Sequence, residues 1–261
     1  MRILFLGDIV GRPGRRAVCN RLPQLRSEYG LDLVLANVEN ASGGIGLNQK
    51  HAQQLHRAGV EAMTSGNHIW RHKEIFPFLD DTDWLLRPAN YPPRVPGRGY
   101  TVLETAGIRV AVLNLQGRVF MDSLDCPFRA ADTAVREMQE QNPDVILVDF
   151  HAEATSEKQA LGHYLNGRVT ALLGTHTHVQ TGDAAVGQKG MGYITDLGMC
   201  GPRNSIIGMD PDSILEGFML QLPKRMSVAN SEASLEGVLL DVRPEDGTCA
   251  AITSWRDNEE L

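Results

Sequence analysis

Five short apolar runs in this chain are each followed closely by side chains able to bind a metal ion or carry a proton. Asp8 follows "ILFL", Glu39 and Asn40 follow "LDLVLANV", Asn67 and His68 follow "VEAMTS", His151 follows "VILVDF", and His176 with His178 follow "VTALL". Taken singly, each has an ordinary explanation: Asp8 as the cap of a helix starting near Gly11, Asn67 as a turn residue, His151 as a core histidine. Five such coincidences, one of them a His-x-His pair, argue instead for one site. A mixture of imidazole, carboxylate and amide oxygen suits Mn, Fe or Zn better than Ca or a thiolate centre. Asp8, Glu39, Asn40, Asn67, His151, His176 and His178 exceed the three or four protein ligands of an open catalytic zinc site, so two divalent ions with a bridging carboxylate are expected. Residues two apart share a side of an extended strand, but where the strand gives way to a loop His176 and His178 can diverge toward neighbouring ions. Two ions about 3.5–4 Å apart can bind both non-bridging phosphate oxygens and generate hydroxide for in-line attack on phosphorus. His68, beside a ligand and not needed to fill the shells, is the natural general acid.

Something must bring these distant residues together. The apolar runs are continuous rather than alternating, which predicts strands buried on both faces. Helices are expected at "NQKHAQQLHRAGV" from Asn48, with Leu55 and Ala58 inward, and at "RAADTAVREMQEQ" from Arg129. The early chain reads β-α-β-α-β. The carboxyl ends of parallel strands share one sheet edge, where residues remote in sequence converge. "YTVLETAGIRVAVLNLQG" from Tyr100 predicts an antiparallel hairpin turning at Ala106-Gly107, and a further strand pair is expected at "GYITDLG" from Gly192 and "EGVLLDVRPEDGTCAAITSW" from Glu236. This mixture favours a mixed-sheet α/β sandwich forming a single domain over residues 1–261. "RPANYPPRVPGRG" from Arg87 reads as a surface loop and the terminal "RDNEEL" as a solvated acidic tail.

Composition bounds the partners. A net charge of -7 without a basic block makes duplex nucleic acid an unexpected partner, although a metal centre supplies positive charge that this tally omits. The four cysteines, Cys19, Cys126, Cys200 and Cys249, show no metal-binding or disulfide spacing, so a reduced, cytoplasmic protein is expected. "MRILFLGD" is too short an apolar run for a signal peptide or membrane span.

The series "LGDIVGRPGR", "ANVENASGG", "TSGNHIW", "LNLQGRVFM", "DFHAEATSEK", "GTHTHVQT" and "TDLGMCGPRNSIIGM" resembles the YmdB-like family of calcineurin-like metallophosphoesterases over nearly the whole chain. The resemblance implies a four-layer α-β-β-α sandwich with mixed sheets and a dinuclear centre. It implies that Asp8, Asn40 and His178 hold one metal, that Asn67, His151 and His176 hold the other, that Glu39 bridges, and that His68 is the acid. The chain departs from the wider superfamily in two places. Asp8-Ile9-Val10 stands where many members have Asp-x-His, and Glu39 stands where they have a bridging Asp. Asn40 in place of the missing imidazole makes that site more oxygen-rich and tilts the metals toward Fe or Mn, with Zn or Mg as alternatives.

The expected function is metal-dependent phosphodiester hydrolysis, with 2′,3′-cyclic nucleotides as the substrate class the resemblance implies. A phosphomonoesterase on the same scaffold, dinuclear amide hydrolysis, and a regulatory metal- or nucleotide-binding protein with little turnover are the competing readings, and a homo-oligomer is compatible with any of them. Arg12 and Arg15 in "GRPGRR" are candidates for contacting phosphate or a neighbouring subunit. Thr177 either contacts substrate or shapes the backbone. The 198–209 segment is expected to rim the pocket, with Cys200 as a free thiol. His51, His56, His72 and His163 read as surface or packing histidines, His72 with a supporting place beside His68.

Overall fold

The computed structural model describes residues 1–222 and 225–258. One sheet contains seven strands: β1 (Arg2–Leu6), β2 (Asp8–Ile9), β3 (Leu33–Asn37), β4 (Ala62–Thr64), β11 (Met199–Pro202), β12 (Ala233–Arg243) and β13 (Thr248–Asn258). The other contains six: β5 (Tyr100–Thr105), β6 (Ile108–Gln116), β7 (Val145–His151), β8 (Ala171–Thr175), β9 (Ala185–Val186) and β10 (Gly192–Ile194). The helices are α1 (Gly11–Tyr29), α2 (Gln49–Arg57), α3 (Ile75–Asp81), α4 (Pro127–Gln139), α5 (Thr155–Leu165) and α6 (Pro211–Leu220).

Side-chain alternation builds the layers. Along β1, Ile3 and Phe5 meet Val110, Leu147 and Leu173 of the facing sheet, while Leu4 and Leu6 turn to Val18 and Leu22 of α1 and Leu55 of α2. Along β7, Val145 and Leu147 enter the inter-sheet core, and Ile146, Val148 and Phe150 pack on Ala131 and Val135 of α4 and Leu161 of α5. Both strands are therefore apolar on both faces, which is why their sequences lack alternation. The result is the four-layer α-β-β-α sandwich. At about 25 cal/mol per Å² of apolar surface removed from water, these layers supply the main favourable term in folding.

Several expected elements stand where the pattern put them. The β5–β6 hairpin turns at Ala106-Gly107, and α2 buries Ala52 and Leu55, although Ala58 lies at its C-cap and is only half-buried. Other expectations need correction. "GYITDLG" does not pair with "EGVLLDV": β10 runs parallel to β8 and antiparallel to β9, while β12 hairpins onto β13 in the other sheet. Both partners are short apolar runs, so pattern alone did not fix their pairing. The stretch after Arg87 is not a surface loop at its start, because Arg87, Pro88 and Asn90 are buried. Helix α1 begins at Gly11 as expected, but its N-cap is Val10 and Asp8 does not cap it. The 198–209 segment opens as strand β11, which buries Cys200. Arg256 to Asn258 belong to β13, and residues 259–261 of the expected tail lie outside the described residues. All four cysteines are free. Among the described residues no helix is long and apolar enough to cross a membrane.

Candidate metal centre

The parallel pairs β1–β3–β4 and β6–β7–β8–β10 align their carboxyl ends, and every candidate side chain emerges from that edge or the loop just beyond it. Asp8 begins β2, beside β11; Glu39 and Asn40 follow β3; Asn67 and His68 follow β4; His151 ends β7; His176 and His178 follow β8. All eight converge in one polar cluster.

Glu39 is at its centre and is fully buried. Its Oε1 lies 3.2 Å from His151 Nε2 and 3.1 Å from His68 Nδ1, and accepts the Asn40 side-chain N–H at 3.1 Å; its Oε2 accepts the His68 backbone N–H at 3.0 Å. Burial pushes this carboxyl's pKa up, but the neighbouring His151 and His68 outweigh it and hold Glu39 well below the usual carboxylate range. On one side, Asn67 Oδ1 is 3.1 Å and His176 Nδ1 3.0 Å from His151 Nε2. Two nitrogens bound tetrahedrally to one ion at 2.0–2.1 Å stand roughly 3.3 Å apart, close to the observed imidazole spacing. Glu39, His151 and His176 bring ligand atoms within 4.8 Å of one another. On the other side, His178 Nε2 lies 3.7 Å from Asp8 Oδ1 and 3.2 Å from Asn40 Nδ2.

Two features fit these groups to divalent cations. Asp8 Oδ1 is buried without a hydrogen-bond partner, and burial raises the Asp8 pKa although His178 and His151 oppose it. An orphaned buried carboxylate oxygen costs free energy that a cation relieves. His178 donates Nδ1–H to the Ile207 carbonyl at 2.8 Å, which leaves Nε2 as a lone pair facing the cluster. The 198–209 segment thus reaches the site through a carbonyl.

His151 is oriented in the same way from behind. The Thr175 hydroxyl donates to Asp149 Oδ1 at 2.7 Å, so its oxygen accepts His151 Nδ1–H at 2.9 Å and Nε2 is left free for the site. Asn37 donates to Asp149 Oδ2 at 3.0 Å, and burial pushes the Asp149 carboxyl up to about 6. Burial opposes charge on His151, but Glu39, Asp8 and Asp149 raise it to about 9, whereas burial and the nearby His151 push His176 down to about 3. Gly66 allows this crowding, because a Cβ there would stand 2.2 Å from His151 Nε2 and 2.5 Å from Glu39 Oε2.

The His-Thr-His segment is held differently. His176 has φ 105° and His178 φ 64°, left-handed values that non-glycine residues rarely adopt. Between them the Thr177 N–H donates to Asp196 Oδ2 at 3.1 Å, and the same oxygen accepts Lys158 Nζ at 2.7 Å, both side chains being fully buried. The Asp8 carboxylate accepts the His176 N–H at 3.0 Å, and Glu153 approaches His176 Nε2 at 3.1 Å. Thr177 contributes its backbone here.

Sequence reasoning missed Asn37, Asp149, Asp196, Lys158 and Glu153. Asn37 and Asp149 each lie two residues before a recognised site residue, on the same side of the strand, and a polar residue inside an apolar run was the available signal. Asp196 follows a strand end as the other site residues do, whereas Lys158 looks like any lysine on a helix. Among the weaker candidates, Arg15 is buried and donates to the Ala41 carbonyl next to the site. His56 stacks on Trp84 at 4.1 Å, and His51 meets the Ser42 hydroxyl at 2.8 Å. The expected support of His68 by His72 is replaced by Asn40, whose Oδ1 lies 2.8 Å from His68 Nδ1.

Known proteins are similar to this chain in sequence and fold. A family model for YmdB-like proteins matches residues 4–255. A Bacillus subtilis (strain 168) protein named 2′,3′-cyclic-nucleotide 2′-phosphodiesterase is 48% identical over 252 residues, covering 97% of this chain and 94% of the relative. A hypothetical protein from Thermus thermophilus superposes with TM-score 0.93 at 44% identity, covering 99% of this chain and 100% of its own. A Mycoplasma pneumoniae protein, whose crystal structure is that of a novel phosphatase, superposes with TM-score 0.92 at 35% identity, over 99% of this chain and 93% of its own.

Proposed function

Because the chain belongs to the YmdB-like family of metallophosphoesterases and is a metal-dependent phosphodiesterase, we propose that it hydrolyses 2′,3′-cyclic nucleotides at a dinuclear centre. The observation that carries this reading is Glu39, whose carboxylate sits between an Asp8–Asn40–His178 group and an Asn67–His151–His176 group. Asp8, Asn40 and His178 would hold one ion, Asn67, His151 and His176 the other, and Glu39 would bridge. The oxygen-rich first group favours Fe or Mn. Bound there, two divalent ions would polarise the phosphoryl oxygens and lower the pKa of water, supplying the nucleophile near neutral pH.

The chain's own residues do the rest. His68 is tied by Nδ1 to Asn40 Oδ1 and by its backbone N–H to Glu39, so its half-exposed ring is fixed at the mouth of the cluster. It would deliver a proton from Nε2 to the departing O2′ as water adds to phosphorus and the P–O2′ bond breaks, leaving a 3′-phosphate and a 2′-hydroxyl. Thr175 and Ile207 hold His151 and His178 with Nε2 toward the ligand space, so neither ring must reorient. One domain over the whole chain suffices for this chemistry, with a homo-oligomer compatible and the cytoplasm the expected compartment.

The test assays a 2′,3′-cyclic nucleotide beside a phosphomonoester with Mn or Fe restored. The diester is expected to be cleaved, and His68→Ala is expected to lower its kcat by about 10²- to 10⁴-fold while metal content survives. Cleavage of the monoester alone would overturn the substrate reading. Undiminished turnover in His68→Ala would remove the general acid.

A further inference from the structure

Behind the loop that carries Asn40 lies a groove of about 730 Å³ whose lining includes Arg12, Arg15, Arg16, His51 and Arg225 and, among the described residues, no carboxylate. The chain as a whole carries a net charge of -7, so this concentration of cations is local and against the average. Among the described residues no acid pairs with Arg12, Arg15 or Arg16. The three arginines occupy the first turns of α1, whose N-terminus has no acidic residue in its first turn and no side-chain cap. That is the positive end of the helix dipole, where cations destabilise a helix and anions stabilise it. Burial and the surrounding cations, Arg15 first among them, push His51 down to about 4, a second sign of the positive field.

The groove and the metal centre share a wall. The Gly11 N–H at the start of α1 donates to the Asn40 carbonyl at 2.9 Å, and buried Arg15 donates to the Ala41 carbonyl. Gly43 of the same loop lines the groove. A cyclic mononucleotide brings one phosphate, and that phosphate belongs at the metal ligands. Further cations one loop away call for further phosphates.

We propose that this groove binds the upstream phosphates of a single-stranded oligonucleotide whose 3′ terminus carries the 2′,3′-cyclic phosphate, so that the preferred substrate is the end of a strand. The proposal rests on the phosphodiesterase reading and narrows its substrate class. A 2′,3′-cyclic phosphate on a strand occupies its 3′ end, so the remaining phosphates extend away in one direction only. Arg12 and Arg16 are exposed and free to follow them, while Arg15 is fixed by Ala41 and Gln54.

Two measurements test this on the metal-loaded protein. The first compares kcat/KM for a pentanucleotide RNA ending in a 2′,3′-cyclic phosphate with that for a cyclic mononucleotide. The strand is expected to be preferred by about tenfold or more, and Arg12→Ala/Arg16→Ala is expected to erase most of that ratio. With two phosphates engaged, strand affinity should fall roughly sevenfold between 50 and 200 mM salt, from a slope of about −0.7 per phosphate. The second follows fluorescence anisotropy of the same strand ending in a 3′-phosphate, which reads the groove without turnover. Binding weakened by the double substitution supports the groove even if catalysis fails, which would count against the phosphodiesterase reading alone. Equal kcat/KM for strand and mononucleotide, or anisotropy unchanged by the double substitution, overturns the proposal.

Discussion

Two halves of the candidate site position their side chains by different means. Glu39, Asn40 and His151 emerge from the ends of regular strands, where a glycine at position 66 lets backbone approach side chain. His176 and His178 sit on left-handed backbone, pinned through the Thr177 N–H to a buried Asp196–Lys158 pair. The first half is organised by the sheets that form the core. The second is organised by polar contacts that serve the site and little else. The difference locates where strain is stored and which residues must offset it.

The largest effect is expected from breaking the polar half. Lys158→Met leaves Asp196 buried and unpaired, which costs about 3–5 kcal/mol and lowers Tm by roughly 10 °C for a chain of this size. Adding Asp196→Leu should restore part of the Tm, because an apolar pair replaces the ion pair at little cost while the Thr177 and Gly198 N–H groups lose their acceptor. Activity should not return with it, since the Thr177 N–H has lost its acceptor. Thermal unfolding and turnover measured on the same preparations separate the two. Recovered activity in the double variant would show that the His-Thr-His conformation needs no such anchor.

A smaller effect is expected in the sheet-built half. Thr175→Val removes the oxygen that accepts His151 Nδ1–H while keeping volume and β-branching. Metal affinity should fall about 10- to 100-fold, as for other residues that orient a ligand from behind, with Tm nearly unchanged if Asn37 still satisfies Asp149. Metal titration by calorimetry reads this directly. Affinity unchanged from the parent would mean that the strand alone fixes the ring.

The same contrast explains what could be read from the sequence. Continuous apolar runs announced doubly buried strands, and the polar residue after each run announced a shared edge, so the polar cluster was visible before the fold. Asp149 and Asn37 were absorbed into those runs, because one polar residue in an apolar strand does not change its pattern. The Lys158–Asp196 pair had no local signal: its members are 38 residues apart and meet only when α5 packs beneath the loop after β10. Left-handed φ at His176 and His178 was equally hidden, since neither residue advertises that conformation as glycine does. Strand pairing of "GYITDLG" was misread because short apolar runs carry no information about their partners. The basic groove was legible in part: Arg12 and Arg15 in "GRPGRR" stand out as candidate phosphate contacts, whereas Arg225 and His51 join them only in three dimensions.

The central claim is that Glu39 bridges two ions. Protein isolated without chelator, crystallised and measured at the Mn and Fe absorption edges, tests it most directly. Two anomalous peaks about 3.5–4 Å apart are expected, one among Asp8, Asn40 and His178 and one among Asn67, His151 and His176, with Glu39 touching both. A single peak confined to Glu39, His151 and His176 in fully loaded protein would contradict the account.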